Sequence, residues 1–146
     1  MDFDLGEGAE KVRAELGRFL ERHFDDLNGV HVAVLGLAFK PGTDDVRESP
    51  ALPIVQHLRN NGATVTAFDP VAAEEAHKAL QDDAIRYCDS VAETVAGAQA
   101  VMLITRWDEF DQLPGLINGR QDPPVVIDGR RVLDPEAFAV YEGIGV

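Results

Sequence analysis

The chain has 146 residues, which suits one domain able to bury about 68% of the surface its unfolded form exposes. With 13 Lys and Arg against 26 Asp and Glu its formal charge is −13, which argues against nucleic acid and anionic membranes, since both reward a basic face. One cysteine, Cys88, leaves no disulfide framework or CxxC site, and no apolar run approaches about 18 residues, so no membrane span or secretory leader is legible.

Residues 7–27 place Val12, Leu16, Phe19, Leu20, His23, Phe24 and Leu27 at three-to-four spacing, an amphipathic helix with Glu, Lys and Arg opposite. Its apolar stripe is expected to pack on the sheet; an exposed stripe would drive self-association. Val30, Val32, Val34 and Leu35 then form a mostly apolar β-rich run, as in a parallel strand covered on both faces. Ser49 and Pro50 supply an N-cap and a first helical residue, and Gly62 closes the helix that carries Leu52, Ile54, Val55 and Leu58. A second strand over residues 63–68 is stopped by Asp69-Pro70. There follow a short helix over 72–80, a short strand over 85–88, and a helix over 90–96 capped by Ser90 with Gly97 behind it. A strongly apolar strand over 99–105 and a buried strand over 125–127 complete the series. This alternation indicates an α/β fold: a doubly wound, mostly parallel, Rossmann-like sheet in three layers, with an N-terminal linking helix. In the strand order 3-2-1-4-5, strands one and four flank the switch point where ligands bind.

The connection after the first strand, residues 36–48, runs to about 13 residues, against the usual two to six. Such loops inside compact α/β units are usually functional. Lys40 beside Phe39 offers an ammonium donor next to an aromatic surface, which suits a phosphorylated or hydroxyl-rich ligand; pairing with Asp44 or Asp45 is the other reading. Arg130 follows Gly129 just beyond a buried strand, and its planar fork can engage a diphosphate or sugar hydroxyl at two points, whereas Arg131 should be solvated or ion-paired. Arg47 can pair with Asp44 and Asp45 or reach a phosphate. Thr43, Asp44, Asp45 and Glu48 fit loop-shaping roles and have no metal-binding spacing, and His23, His31, His57 and His77 do not cluster. Asp69 stands where an acid grips ribose in dinucleotide folds, yet the turn after the first strand reads G-L-A-F-K-P and not G-x-G-x-x-G, so Asp69-Pro70 is read as a turn. Trp107 and Phe110 can line a base pocket but fit a core better, and Cys88 fits a small packing residue.

The runs G-L-A-F-K-P-G-T-D-D-V-R-E-S-P-A, G-A-T-V-T-A-F-D-P, T-R-W-D-E-F, V-V-I-D-G-R-R and Y-E-G-I-G, in that order over residues 27–145, resemble the C-terminal, UDP-binding domain of the UDP-glucose/GDP-mannose dehydrogenases. The resemblance implies that Phe39, Lys40 and Arg130 contact the UDP-sugar, and that Arg47 meets an NAD cofactor held mainly by an N-terminal domain. It implies an enzyme of the UDP-glucose 6-dehydrogenase type, which oxidises UDP-glucose to UDP-glucuronate through a thiol nucleophile and forms a homodimer through a central helical domain. On this reading residues 1–27 are a linking helix left from the central domain and residues 28–146 are the UDP-sugar-binding domain. Lacking the catalytic cysteine and the NAD domain, the chain alone is expected to be inactive. Three alternatives stay open: a stand-alone nucleotide-binding or regulatory module, a UDP-N-acetylmannosamine or GDP-mannose dehydrogenase domain, and a complete NAD-binding domain. The lone thiol suits a reducing cytoplasm, and the carboxylate excess suits either a halophilic source or an ordinary acidic cytosolic protein.

Overall fold

The computed structural model describes residues 14, 18, 20, 22–38, 42, 44–47, 49–129 and 133–143. Six strands form its sheet: β1 (His31–Leu35), β2 (Thr64–Phe68), β3 (Arg86–Tyr87), β4 (Ala100–Leu103), β5 (Val125–Asp128) and β6 (Val140–Gly143). Their order is β3-β2-β1-β4-β5-β6 and every neighbouring pair is parallel. Among the described residues, 14, 18, 20 and 22–23 are helical, and the later helices are α1 (Ala51–Asn60), α2 (Ala73–Leu80), α3 (Val91–Val95) and α4 (Leu113–Ile117), with 3₁₀ turns at Asp108–Gln112 and Pro135–Ala137.

Side chains of successive strand residues point to opposite faces, so each central strand feeds two cores. Val32 and Val34 of β1 join Val65, Met102 and Ile127 on one face, where α1 contributes Ile54, Val55 and Leu58. Ala33 and Leu35 face the other way, with Val101, Leu103 and Val126, and meet Val91 and Val95 of α3 and Leu113 and Ile117 of α4. The sheet is therefore the middle of three layers. Each fully buried Leu or Ile here contributes about 1.5–3 kcal/mol relative to an exposed one.

Local chemistry sets the element ends much as the sequence implies. Ser49 Oγ accepts the Ala51 N–H at 3.1 Å, and Pro50 has φ −67°, so the cap and first helical residue of α1 stand one position before the assigned helix. Gly62 and Gly97, behind α1 and α3, have φ +85° and +76°. Ser90 Oγ accepts from Glu93 N–H at the start of α3. The strand expected over 85–88 contracts to two residues, Arg86–Tyr87. Of the N-terminal stripe, Leu20 is buried in the α1-side core and Phe24 and Leu27 pack against it, as expected; Val12, Leu16 and Phe19 lie outside the described residues. No helix among the described residues is long and apolar enough to cross a membrane.

Candidate functional site at the ends of β1, β4 and β5

β1 lies between β2 and β4, and the helices that follow β1 and β4 cover opposite faces. In open α/β sheets this change of side between neighbouring strands marks the switch point, where ligands bind. Backbone bonds hold the strand ends in one row. Gly36 N–H donates to Phe68 O at 2.8 Å, Ile104 N–H to Leu35 O at 2.9 Å, and Gly129 N–H to Leu103 O at 2.8 Å. Gly36 has φ +94°, and a Cβ there would stand 2.4 Å from Thr105 O; at Gly129 it would stand 2.9 Å from Leu103 O. Both glycines allow the chain to pass where a side chain would collide.

Two buried polar side chains reinforce this row. Thr105, 1% exposed, donates from Oγ1 to Ala38 O at 2.6 Å. Asp69, 5% exposed, accepts Leu37 and Ala38 N–H on Oδ2 at 2.8 and 3.0 Å, and Val71 and Ala72 N–H on Oδ1, both at 2.8 Å. Asp69 is thus a turn residue as expected, and also a brace between the β1 and β2 loops. At the end of β5, Asp128 is fully buried and accepts the Leu133 N–H and the Tyr141 hydroxyl, each at 2.8 Å on Oδ2.

Phe39, Lys40 and Arg130 lie outside the described residues, as do Thr43, Glu48 and Arg131. Their chain neighbours Ala38 and Gly129 both bond to the end of β4, at Thr105 and Leu103. Arg47 is described, and its side chain is 85% exposed. Its Nε and Nη2 donate to the two carboxylate oxygens of Asp45 at 3.0 and 2.9 Å, and its N–H donates to Asp45 Oδ1 at 3.0 Å. These bonds from Arg47 hold the Asp45 carboxyl down at about 2. The pairing expected between Arg47 and the loop acids is present with Asp45.

Phe110 is fully buried and meets Phe68 edge-on at 6.2 Å, a core role. Trp107 packs against the same cluster, with its indole N–H buried and without a hydrogen-bond partner among the described residues. Cys88 is buried, and burial pushes its thiol pKa up, away from the thiolate that a nucleophile needs. A groove of about 400 Å³ at the ends of β2 and β3 is lined by Asp69, Glu74, Asp89 and Glu109. Its carboxylates disfavour a diphosphate there.

In the sequence Thr105 only ends an apolar strand. A hydroxyl at the close of a buried run must find a partner, and that is the available signal. The bracing role of Asp69 is not legible in the sequence because the amides of Leu37 and Ala38 lie 32 and 31 residues away along the chain.

The family model described as "UDP-glucose/GDP-mannose dehydrogenase family, UDP binding domain" matches residues 33–135. The UDP-glucose 6-dehydrogenase AglM of Haloferax volcanii is 44% identical over 141 residues, which cover 97% of this chain and 31% of the relative. Among solved structures, a UDP-glucose dehydrogenase from the hyperthermophilic archaeon Pyrobaculum islandicum superposes with a TM-score of 0.77 at 36% identity, over 92% of this chain and 29% of its own. A UDP-D-ManNAc dehydrogenase from Pyrococcus horikoshii gives a TM-score of 0.68 at 28% identity, over 93% of this chain and 30% of its own. The chain thus spans under a third of the length of these relatives. Because the match runs from inside β1 past the end of β5, and so takes in all three loops at these strand ends, the chain belongs to the UDP-glucose/GDP-mannose dehydrogenase family through its UDP binding domain.

Proposed function

We propose that this chain is the nucleotide-sugar-binding part of an NAD-dependent UDP-glucose 6-dehydrogenase, which oxidises the C6 alcohol of UDP-glucose to the carboxylate of UDP-glucuronate. The carrying observation is the row of strand ends, where Ala38 and Gly129, the residues next to Phe39-Lys40 and Arg130, both bond to the end of β4. Lys40 and Arg130 supply cations for the diphosphate, and Phe39 supplies an apolar surface. Glucose is favoured over N-acetylmannosamine by the identities, 44% and 36% with the two UDP-glucose enzymes against 28% with the UDP-D-ManNAc enzyme.

NAD, when bound, accepts hydride. The ends of β1 and β2 do not fit it, since both Asp69 oxygens are occupied by backbone N–H groups and the turn after β1 lacks the phosphate-cradling glycines. A separate part of the enzyme therefore holds the cofactor, and Arg47, presented by Asp45 on the exposed loop, is this chain's contact with it. The buried Cys88 is not the nucleophile, which likewise belongs elsewhere, so this chain alone is inactive. We read residues 1–27 as the link to that remaining part and residues 28–146 as the UDP-sugar domain. The assembled enzyme is a cytoplasmic homodimer.

Calorimetric titration with UDP-glucose, GDP-mannose and NAD in parallel tests this reading. Heat is expected with UDP-glucose in preference to the others. Lys40→Ala and Arg130→Ala should each weaken that binding by about 1–3 kcal/mol, the usual size for a charge-assisted hydrogen bond, and leave the melting temperature near wild type. Unchanged affinity in either variant removes that residue from the site, and preferential binding of NAD overturns the reading.

A further inference from the structure

Ala38 directly precedes Phe39 and Lys40, and its peptide groups are held from two sides. Its N–H donates to Asp69 Oδ2 and its carbonyl accepts from Thr105 Oγ1. The regular ladders stop short of this point. The last β1–β2 pair is Leu35 with Phe68, and the last β1–β4 pair is Leu35 with Leu103. Three residues beyond the strand, side chains from two neighbouring strand ends take over from backbone pairing. Asp69 is itself immobilised by Val71 and Ala72 N–H, and both clamping side chains are buried, so water does not compete for their bonds.

We propose that Asp69 and Thr105 are positioning residues for nucleotide-sugar binding: they fix the backbone at Ala38, two residues before Lys40. This deepens the reading of Lys40 as a substrate contact and rests on it. A connection of about 13 residues anchored only at its ends samples many directions, and ordering it on binding would weaken affinity. Anchoring Ala38 in the unliganded fold fixes the chain just before Phe39 and Lys40, as a supporting shell does for a binding constellation. The same bonds withdraw Asp69 from ribose recognition, so one carboxylate serves loop placement in place of dinucleotide binding.

Thr105→Val keeps the shape and removes the donor, whereas Thr105→Ser keeps the donor. By calorimetry the valine variant should bind UDP-glucose about tenfold more weakly and the serine variant should match wild type. In a Lys40→Ala background Thr105→Val should add little, because its effect passes through Lys40; a general loss of structure would instead weaken both backgrounds equally. Amide exchange gives a readout without ligand: Asp69→Asn should speed exchange at Leu37 and Ala38 while the β4 core amides stay protected. Wild-type affinity in Thr105→Val, or an equal loss in both backgrounds, overturns the positioning role and leaves the nucleotide-sugar reading standing. If wild type shows protected Leu37 and Ala38 amides and binds no UDP-glucose, the nucleotide-sugar reading fails and this inference fails with it.

Discussion

Gly36 is set by backbone geometry more than by loop flexibility. Its φ of +94° is left-handed, and a Cβ would lie 2.4 Å from Thr105 O and 2.6 Å from Thr105 N, both main-chain atoms that cannot swing aside. Gly36→Ala is expected to destabilise the domain by about 3 kcal/mol or more, since steric and dihedral penalties add. Chemical denaturation gives the midpoint, and a change under about 1 kcal/mol would show that the β1 and β4 ends separate more easily than their packing implies. The glycine was legible as part of the loop motif, but its reason was not, because the group it avoids is on another strand. Arg47 and Asp45 are the opposite case. Two residues apart, they are paired as the local spacing allowed.

At the scale of elements, His31 joins β1 to β2 and α3. Its Nε2 lies 2.8 Å from Thr66 Oγ1, whose own hydrogen is donated to Thr94 O, so the ring nitrogen is the donor. Burial lowers the pKa of His31 below 6.5; the Gly97 carbonyl opposes the shift, and Arg120 and Arg86 add to it. The sign follows. The unfolded chain takes up a proton near pH 6.5 that the folded chain resists, so this stabilisation is present above that pH and is lost as pH falls below it. His31→Gln should flatten the fall in stability between about pH 7 and pH 5, as read from melting temperatures across that range. An identical slope in both proteins would assign the fall to the carboxylates. Element identity was largely legible, since alternating Val and Leu, Ser caps and closing glycines are local signals. β6, α4 and the two 3₁₀ turns lack such signals. β6 contains only Val140, Tyr141, Glu142 and Gly143, too short and polar for periodicity, and it is a strand because β5 pairs with it from Val125–Val140 to Asp128–Gly143.

Over the whole molecule, charge is the dominant unspent variable. A formal charge of −13 implies self-repulsion in the folded state. Raising potassium chloride from about 0.1 M to 1 M shortens the screening length from about 10 Å to 3 Å and should raise the melting temperature. The exposed ion pairs, such as Arg106 with Asp108 and Asp111, act the other way but contribute little in water. A melting temperature that fell with salt would mean that such pairs outweigh the repulsion.

The α/β class, the three layers, the position of the long loop after the first strand and the family resemblance are all legible along the chain. These depend on patterns within a few residues of one another, where side-chain period and turn chemistry act directly. The strand order 3-2-1-4-5 is observed as expected, but it took the packed molecule to add β6 at the edge beyond β5, to surround Asp69 with four backbone amides, and to bring Thr105 to Ala38 from 67 residues away. A buried polar group must be satisfied by whichever partner folding brings to it, and that partner is fixed by the packing of distant strands.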